Sequence, residues 1–143
     1  MPRPQRVRRI ESPPRYQAFK PVGFRRRDLE ETELAVDEFE ALRLVDYEDL
    51  DHKAAAERMG ISRPTLTRIL EKARCKVAGV LVEGKLLSIT GGRFDFVRTR
   101  HRCRNCGEEK PTPMRRRRPK GLEPVCPECG SEDVEDVGVQ FRK

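Results

Sequence analysis

The chain has no tryptophan, only 6% aromatic residues and 36% hydrophobic ones. At 143 residues, such a composition allows one modest core or two small ones, not a large one. No apolar run approaches the roughly 18 residues of a membrane span. The N-terminus lacks the apolar segment of a secretory leader. The expectation is a cytoplasmic chain with no membrane partner. A phosphate-cradling glycine loop is missing, and so is any Ser/His/Asp set, so no enzyme is expected. Histidine occurs twice. His52 reads as a surface residue at a helix start, and His101 as a bystander near a cysteine.

What is present begins with cysteine. Four of the five form two pairs, Cys103-Arg104-Asn105-Cys106 and Cys126-Pro127-Glu128-Cys129, followed by Gly107 and Gly130. Two thiolates three positions apart grip one side of an ion, and a second pair closes the tetrahedron. In a reducing compartment such pairs favour metal over disulfide. The reading is a closed, structural zinc site, with iron as the lesser alternative for four thiolates. Phe94, Phe96 and Val97 precede the first pair, and Val134, Val137, Val139 and Phe141 follow the second. Short strands there predict a small β zinc ribbon over 93–143. On that division, zinc removal unfolds the chain from about residue 93 and spares the helices. Cys75 reads as a half-buried helix thiol.

Charge is blocked along the chain. Residues 1–27 hold nine Arg/Lys against one Glu, and residues 28–50 hold ten acids against Arg43 alone. The net charge is +7, which points to a polyanion partner. The first block reads as a basic arm with short extended pieces at 8–11 and 16–20. Arg3, Arg6, Arg8 and Arg9 could enter a minor groove. Arg115 to Arg118 could clamp a phosphate backbone or form an exposed loop.

Residues 28–90 read as helical. Leu29 and Leu34 suggest a short first helix. Asp37 reads as an N-cap with Glu40 three positions on, as in a capping box. A helix from Asp51 to Met59 is stopped by Gly60. Ser62 caps another, with Pro64 near its start. Leu66, Ile69, Leu70, Ala73, Val77, Val80 and Leu81 form its apolar face. Gly84 ends it, 86–89 suggests a strand, and Gly91-Gly92 a hinge.

Lys53 to Glu71 fits a helix-turn-helix. Ala56 lets the helices approach, Gly60 makes the turn, Ile61 follows it, and Leu66 and Ile69 anchor the second helix. At about 100° per residue, Pro64, Arg68, Glu71 and Cys75 lie opposite the apolar face. Thr65, Thr67 and Lys72 flank them, and Arg63 stands at the tip. Arg63 and Arg68 are the candidates for bonding guanine edges. Ser62, Thr65 and Thr67 suit phosphates or bases, and Lys72, Arg74 and Lys76 suit phosphates or solvent.

Asp37-Glu38-Phe39-Glu40-Ala41-Leu42-Arg43-Leu44 and Ala55-Ala56-Glu57-Arg58-Met59-Gly60-Ile61-Ser62-Arg63-Pro64-Thr65 resemble a small prokaryotic family. Its members are predicted DNA-binding proteins, long described as a domain of unknown function. Ala73-Arg74-Cys75-Lys76-Val77-Ala78, Gly84-Lys85, Pro2-Arg3-Pro4, Arg8-Arg9-Ile10 and Phe19-Lys20-Pro21 fit it too. The resemblance covers roughly residues 1–90 and implies a core similar to region four of sigma factors. Val7 stands where members often carry cysteine.

The expected architecture is thus a mainly α helix-turn-helix domain at 28–90, between a basic arm and the zinc ribbon. The expected function is a sequence-specific transcriptional regulator on double-stranded DNA, as a monomer or a homodimer. The alternative is an adaptor that binds transcription machinery or a nucleoprotein particle through the acidic helix and the ribbon.

Overall fold

In the computed structural model the described residues are 7–113 and 125–141. Three α-helices and eight short strands make up the described regular structure, together with 3-10 and π-helical turns. The strands share the architecture with the helices, so "mainly α" is too narrow a description. The strand set is β1 Arg8–Ile10, β2 Ala18–Phe19, β3 Glu31–Leu34, β4 Leu86–Ile89, β5 Phe94–Phe96, β6 Arg98–Cys103, β7 Glu109–Pro113 and β8 Val134–Asp136. The helices are α1 Val36–Leu42, α2 His52–Met59 and α3 Arg63–Glu83.

Three small sheets result. β1 runs parallel to β5, with Ile10 opposite Phe96. β4 is central in the second sheet, antiparallel to β2 and parallel to β3. β6 is central in the third, with β7 and β8 antiparallel on either side. Residues 31–34, expected as a helix, therefore form a strand. Only one side chain in two needs burial there, and Leu34 is the one buried. The pairing partner lies some fifty residues on, out of reach of local periodicity.

α1 starts two residues earlier than expected. Ala35 is the N-cap, and its N–H donates to the Glu38 carboxylate at 2.9 Å. Glu38, not Glu40, thus sits at the third helical position where a carboxylate can reach back. A π-helical turn, Arg43–Tyr47, continues α1. α2 opens where the Asp51 carboxylate accepts from Ala54 N–H at 2.7 Å. It closes at Gly60, at φ 66°. In α3 the Ser62 hydroxyl accepts from Thr65 N–H at 3.3 Å, and Gly84 ends the helix at φ 67°. Leu66, Ile69, Leu70 and Ala73 are buried, but Leu81, counted in the same stripe, is exposed.

One core cluster joins all parts. Ile10, Leu34, Leu44, Met59, Leu66, Leu70, Ile89, Phe96, Val137 and Phe141 belong to it. Arg8 and Arg9, expected in a free arm, lie in β1, and Ile10 is fully buried. Phe94, Phe96 and Phe141, expected in the ribbon, pack with the helices. Arg3, Arg6 and Arg115 to Arg118 lie outside the described residues.

Candidate functional site

α2 and α3 are joined by a turn of Gly60, Ile61 and Ser62. At positive φ glycine is the residue least strained, so Gly60 can reverse the chain without a Cβ penalty. Ala55, Ala56 and Met59 on α2 are buried, as are Leu66 and Leu70 on α3. His52 Nδ1 and Thr67 Oγ1 lie 3.1 Å apart, and the Thr67 hydroxyl donates to the Arg63 carbonyl. Thr67 therefore belongs to the seam between α2 and α3. It does not share the outer face with the other candidates, and His52 is half-buried there.

On the other flank of α3 lies an open groove of about 1810 Å³. Ser62, Thr65, Arg68 and Lys72 line one wall. Arg8, Asp37, Gly92 and Arg93 line the other. Arg63 is exposed at the tip of the helix and Cys75, also exposed, lines the groove farther along. A Ser62–Thr65 hydroxyl contact of 2.7 Å fixes the helix entrance.

The cations around this groove are not equivalent. Arg8 pairs with the buried Asp37, and Lys76 pairs with the buried Glu38 at 2.7 Å. Burial raises the Asp37 carboxyl above its usual range, against the pull of Arg8. Arg74 is held by Asp46 through bonds of 3.1 and 2.6 Å. That hydrogen bonding lowers Asp46 and raises Arg74. Arg63, Arg68, Lys72 and Arg93 make no ion pair among the described residues. Glu71 is an exposed acid on the same lining.

Of the ten acids in residues 28–50, Asp37, Glu38 and Glu40 are buried, and the other seven are exposed. Arg43 bonds Glu40 through two nitrogens, at 2.9 and 2.7 Å, and reaches Glu11 at 2.7 Å and Glu48. Glu40 also accepts from Glu11 N–H at 3.2 Å. The Glu40 carboxylate, with Glu11 and Glu48, holds Arg43 well above the usual guanidinium range.

The four paired cysteines converge in the third sheet. Their sulfurs all lie within 4.8 Å of one another, close enough to hold a metal ion. Cys103 and Cys129 sulfurs are 3.6 Å apart, as are those of Cys106 and Cys126. Four thiolates at about 2.3 Å from a tetrahedral centre would be about 3.8 Å apart. The two knuckles match: Gly107 N–H donates to Cys103 O and Gly130 N–H to Cys126 O, both at 2.9 Å. Asn105 and the Ser131 N–H hold the Cys129 thiol down, to about 6. Cys106 is lowered by the Glu108 N–H, but burial and the other sulfurs together push it up to about 12. A bound dication would favour the thiolate form of its sulfur ligands. His101 lies in β6, opposite Lys110 and Asp136, and is not part of the cluster.

A family model described as "Protein of unknown function DUF134" matches residues 1–97. The chain belongs to this family. DUF134 members occur in bacteria and archaea. A "UPF0251 protein" of Chloroherpeton thalassium is 50% identical over 141 residues, covering 99% of this chain and 90% of the relative. Another from Moorella thermoacetica is 46% identical over 139 residues, covering 96% and 89%. A third, from Methanothermobacter thermautotrophicus, is 43% identical over 142 residues, covering 98% and 70%. The DUF134 match ends near β5, whereas these relatives align through both cysteine pairs. No solved structure matches the chain. Described residues offer no helix long and apolar enough to cross a membrane.

Arg93 and Asp37 are groove neighbours of α3 that no local pattern in the sequence marks as such. Both reach the groove through non-local parallel pairing, and the only local signal was the glycine pair before Arg93.

Proposed function

We propose that the chain is a sequence-specific DNA-binding protein that regulates transcription, with α3 as the recognition helix in the major groove. The observation that carries this reading is the α2–turn–α3 unit. It buries Leu66 and Leu70 while leaving Ser62, Arg63 and Arg68 exposed at the N-terminal part of α3. That is the part of a recognition helix that meets base edges. Arg63 and Arg68, unpaired within the described residues, suit guanine O6 and N7. Lys72, one turn on, suits a phosphate. Zinc is the ion proposed for the four thiolates, because a closed Cys₄ set suits a structural site with no open position. Ion analysis of purified protein tests this: one zinc per chain is expected, and iron in its place would overturn it.

The adaptor reading needs an acidic surface at 28–50. Asp37, Glu38 and Glu40 are buried and paired, while the other seven acids of that stretch are exposed. DNA is the preferred partner because Arg63 and Arg68 stand exposed and unpaired among the described residues on α3. Selection from random duplexes with zinc-loaded protein is the test. A recurrent motif is expected, together with affinity that falls steeply with salt. Arg68→Ala should weaken binding to that motif by about 1–3 kcal/mol. No enrichment, with a stable protein partner recovered instead, would sink the DNA reading in favour of the adaptor.

A further inference from the structure

Three cations that line the groove stay unpaired among the described residues, and they come from two separate elements. Arg68 and Lys72 belong to α3, and Arg93 to the turn before β5. The cations nearer the buried acids, Arg8 and Lys76, are already neutralised. A groove of about 1810 Å³ also exceeds the roughly 300–1,000 Å³ of a small-molecule pocket. This pattern suits an extended polyanion more than a compact ligand.

Arg93 is held in place by its backbone. The Gly91 carbonyl accepts from Val36 N–H at 3.1 Å, and Gly91 N–H donates to the Phe141 carbonyl at 3.4 Å. Arg93 O accepts from Arg8 N–H at 3.3 Å. Gly92 has φ 98°, and a Cβ there would lie 2.9 Å from Asp37 Oδ1. Only glycine lets this turn settle onto Asp37 and bring Arg93 to the rim. The glycine pair, read from sequence as a hinge, is thus tied at both sides.

We infer that the Gly91–Gly92–Arg93 turn is a second DNA-contacting element, with Arg93 as a fixed clamp on the phosphate backbone flanking the major groove that α3 enters. The inference rests on the DNA reading of α3 and names a contact outside the helix pair. A phosphate contact fixes register and adds affinity without reading sequence. Removing it should therefore weaken all duplexes alike.

The experiment measures binding of the full zinc-loaded chain to its selected duplex and to a random duplex, over a salt series. Arg93→Ala should bind both about three- to tenfold more weakly, with the salt slope reduced by about 1. Arg93→Lys should restore the slope, because it keeps the charge. Arg68→Ala should instead reduce the preference for the selected duplex. Circular dichroism checks that each variant is folded. Unchanged binding and slope in Arg93→Ala, beside a clear loss in Arg68→Ala, would overturn the clamp and leave the reading of α3 standing. No salt-dependent duplex binding by the parent chain would overturn both. Equal competition by single-stranded RNA would overturn the duplex as the clamped partner.

Discussion

Arg43 is the one basic residue in an acidic stretch, and the fold uses it as a hub. Its guanidinium meets Glu40, which is 1% exposed, and also Glu11 and Glu48. A carboxylate so buried would be costly without this partner. Arg43→Ala should therefore destabilise the chain by about 3–5 kcal/mol, the range for breaking a buried pair from one side. Chemical denaturation measures it. Replacing both partners, as in Arg43→Met with Glu40→Leu, should recover much of the loss, since the carboxylates left without Arg43, Glu11 and Glu48, are solvent-accessible. A double variant as unstable as Arg43→Ala would contradict this account. Asp37 makes a pH prediction. Burial raises its carboxyl above the ordinary 3.8, so the folded chain holds this proton more tightly than the unfolded one. Its contribution to stability therefore falls as pH rises from 3.8 through the raised value. Asp37→Asn should remove that fall, so the variant gains on the parent across the same window in denaturation at stepped pH. A difference curve flat with pH would sink the assignment.

The elements divide by whether their signals are local. Asp51, Gly60, Ser62 and Gly84 were legible because a cap depends on residues within one turn. The structure shows each in the expected role. The four cysteines were legible for the same reason, since a knuckle is a local turn around a fixed spacing. β3 was not legible, because its stability comes from a parallel partner far along the chain. β1 was legible as an extended piece but not as a core strand, since only pairing with β5 buries Ile10. A helical wheel puts Thr67 on a flank of α3, but it cannot tell that His52 of α2 lies beside it. Two substitutions test the helix pair without touching its outer arginines. Ser62→Ala should cost about 1 kcal/mol through loss of the cap. Gly60→Ala should cost a further amount of about 1 kcal/mol, because φ 66° disfavours a Cβ. Both should lower the midpoint of denaturation. Stability unchanged in both would mean that the turn is not fixed as described.

At the scale of the whole molecule, the four-cysteine cluster and the helices are not two independent bodies. The sulfurs hold β6, β7 and β8 at one end, but the strand before and the turn after that sheet return to the helical core. Phe94 and Phe96, before that sheet in the chain, and Val137 and Phe141, after it, all belong to that core. Thr99 bonds Asp136, and Asp136 accepts from Gly138 N–H at 2.9 Å, so the sheet is continuous with the segment that carries Phe141. The Phe141 carbonyl in turn holds Gly91, the first residue of the Arg93 turn. Loss of the metal should therefore do more than unfold a ribbon. It should release 98–113 and 126–136, loosen Phe141, and lower the stability of α1 to α3 while leaving them folded at moderate temperature. Hydrogen exchange with and without chelator resolves the three levels. Protection should vanish in β6 to β8, fall in β1 and β5, and fall least in α3 around Leu66 and Leu70. Zinc should restore it and magnesium should not, since thiolates disfavour the harder ion. Full protection of β1 and β5 in the chelated chain would show that the core does not depend on the metal centre. Loss of protection throughout α3 would show that it depends on it entirely.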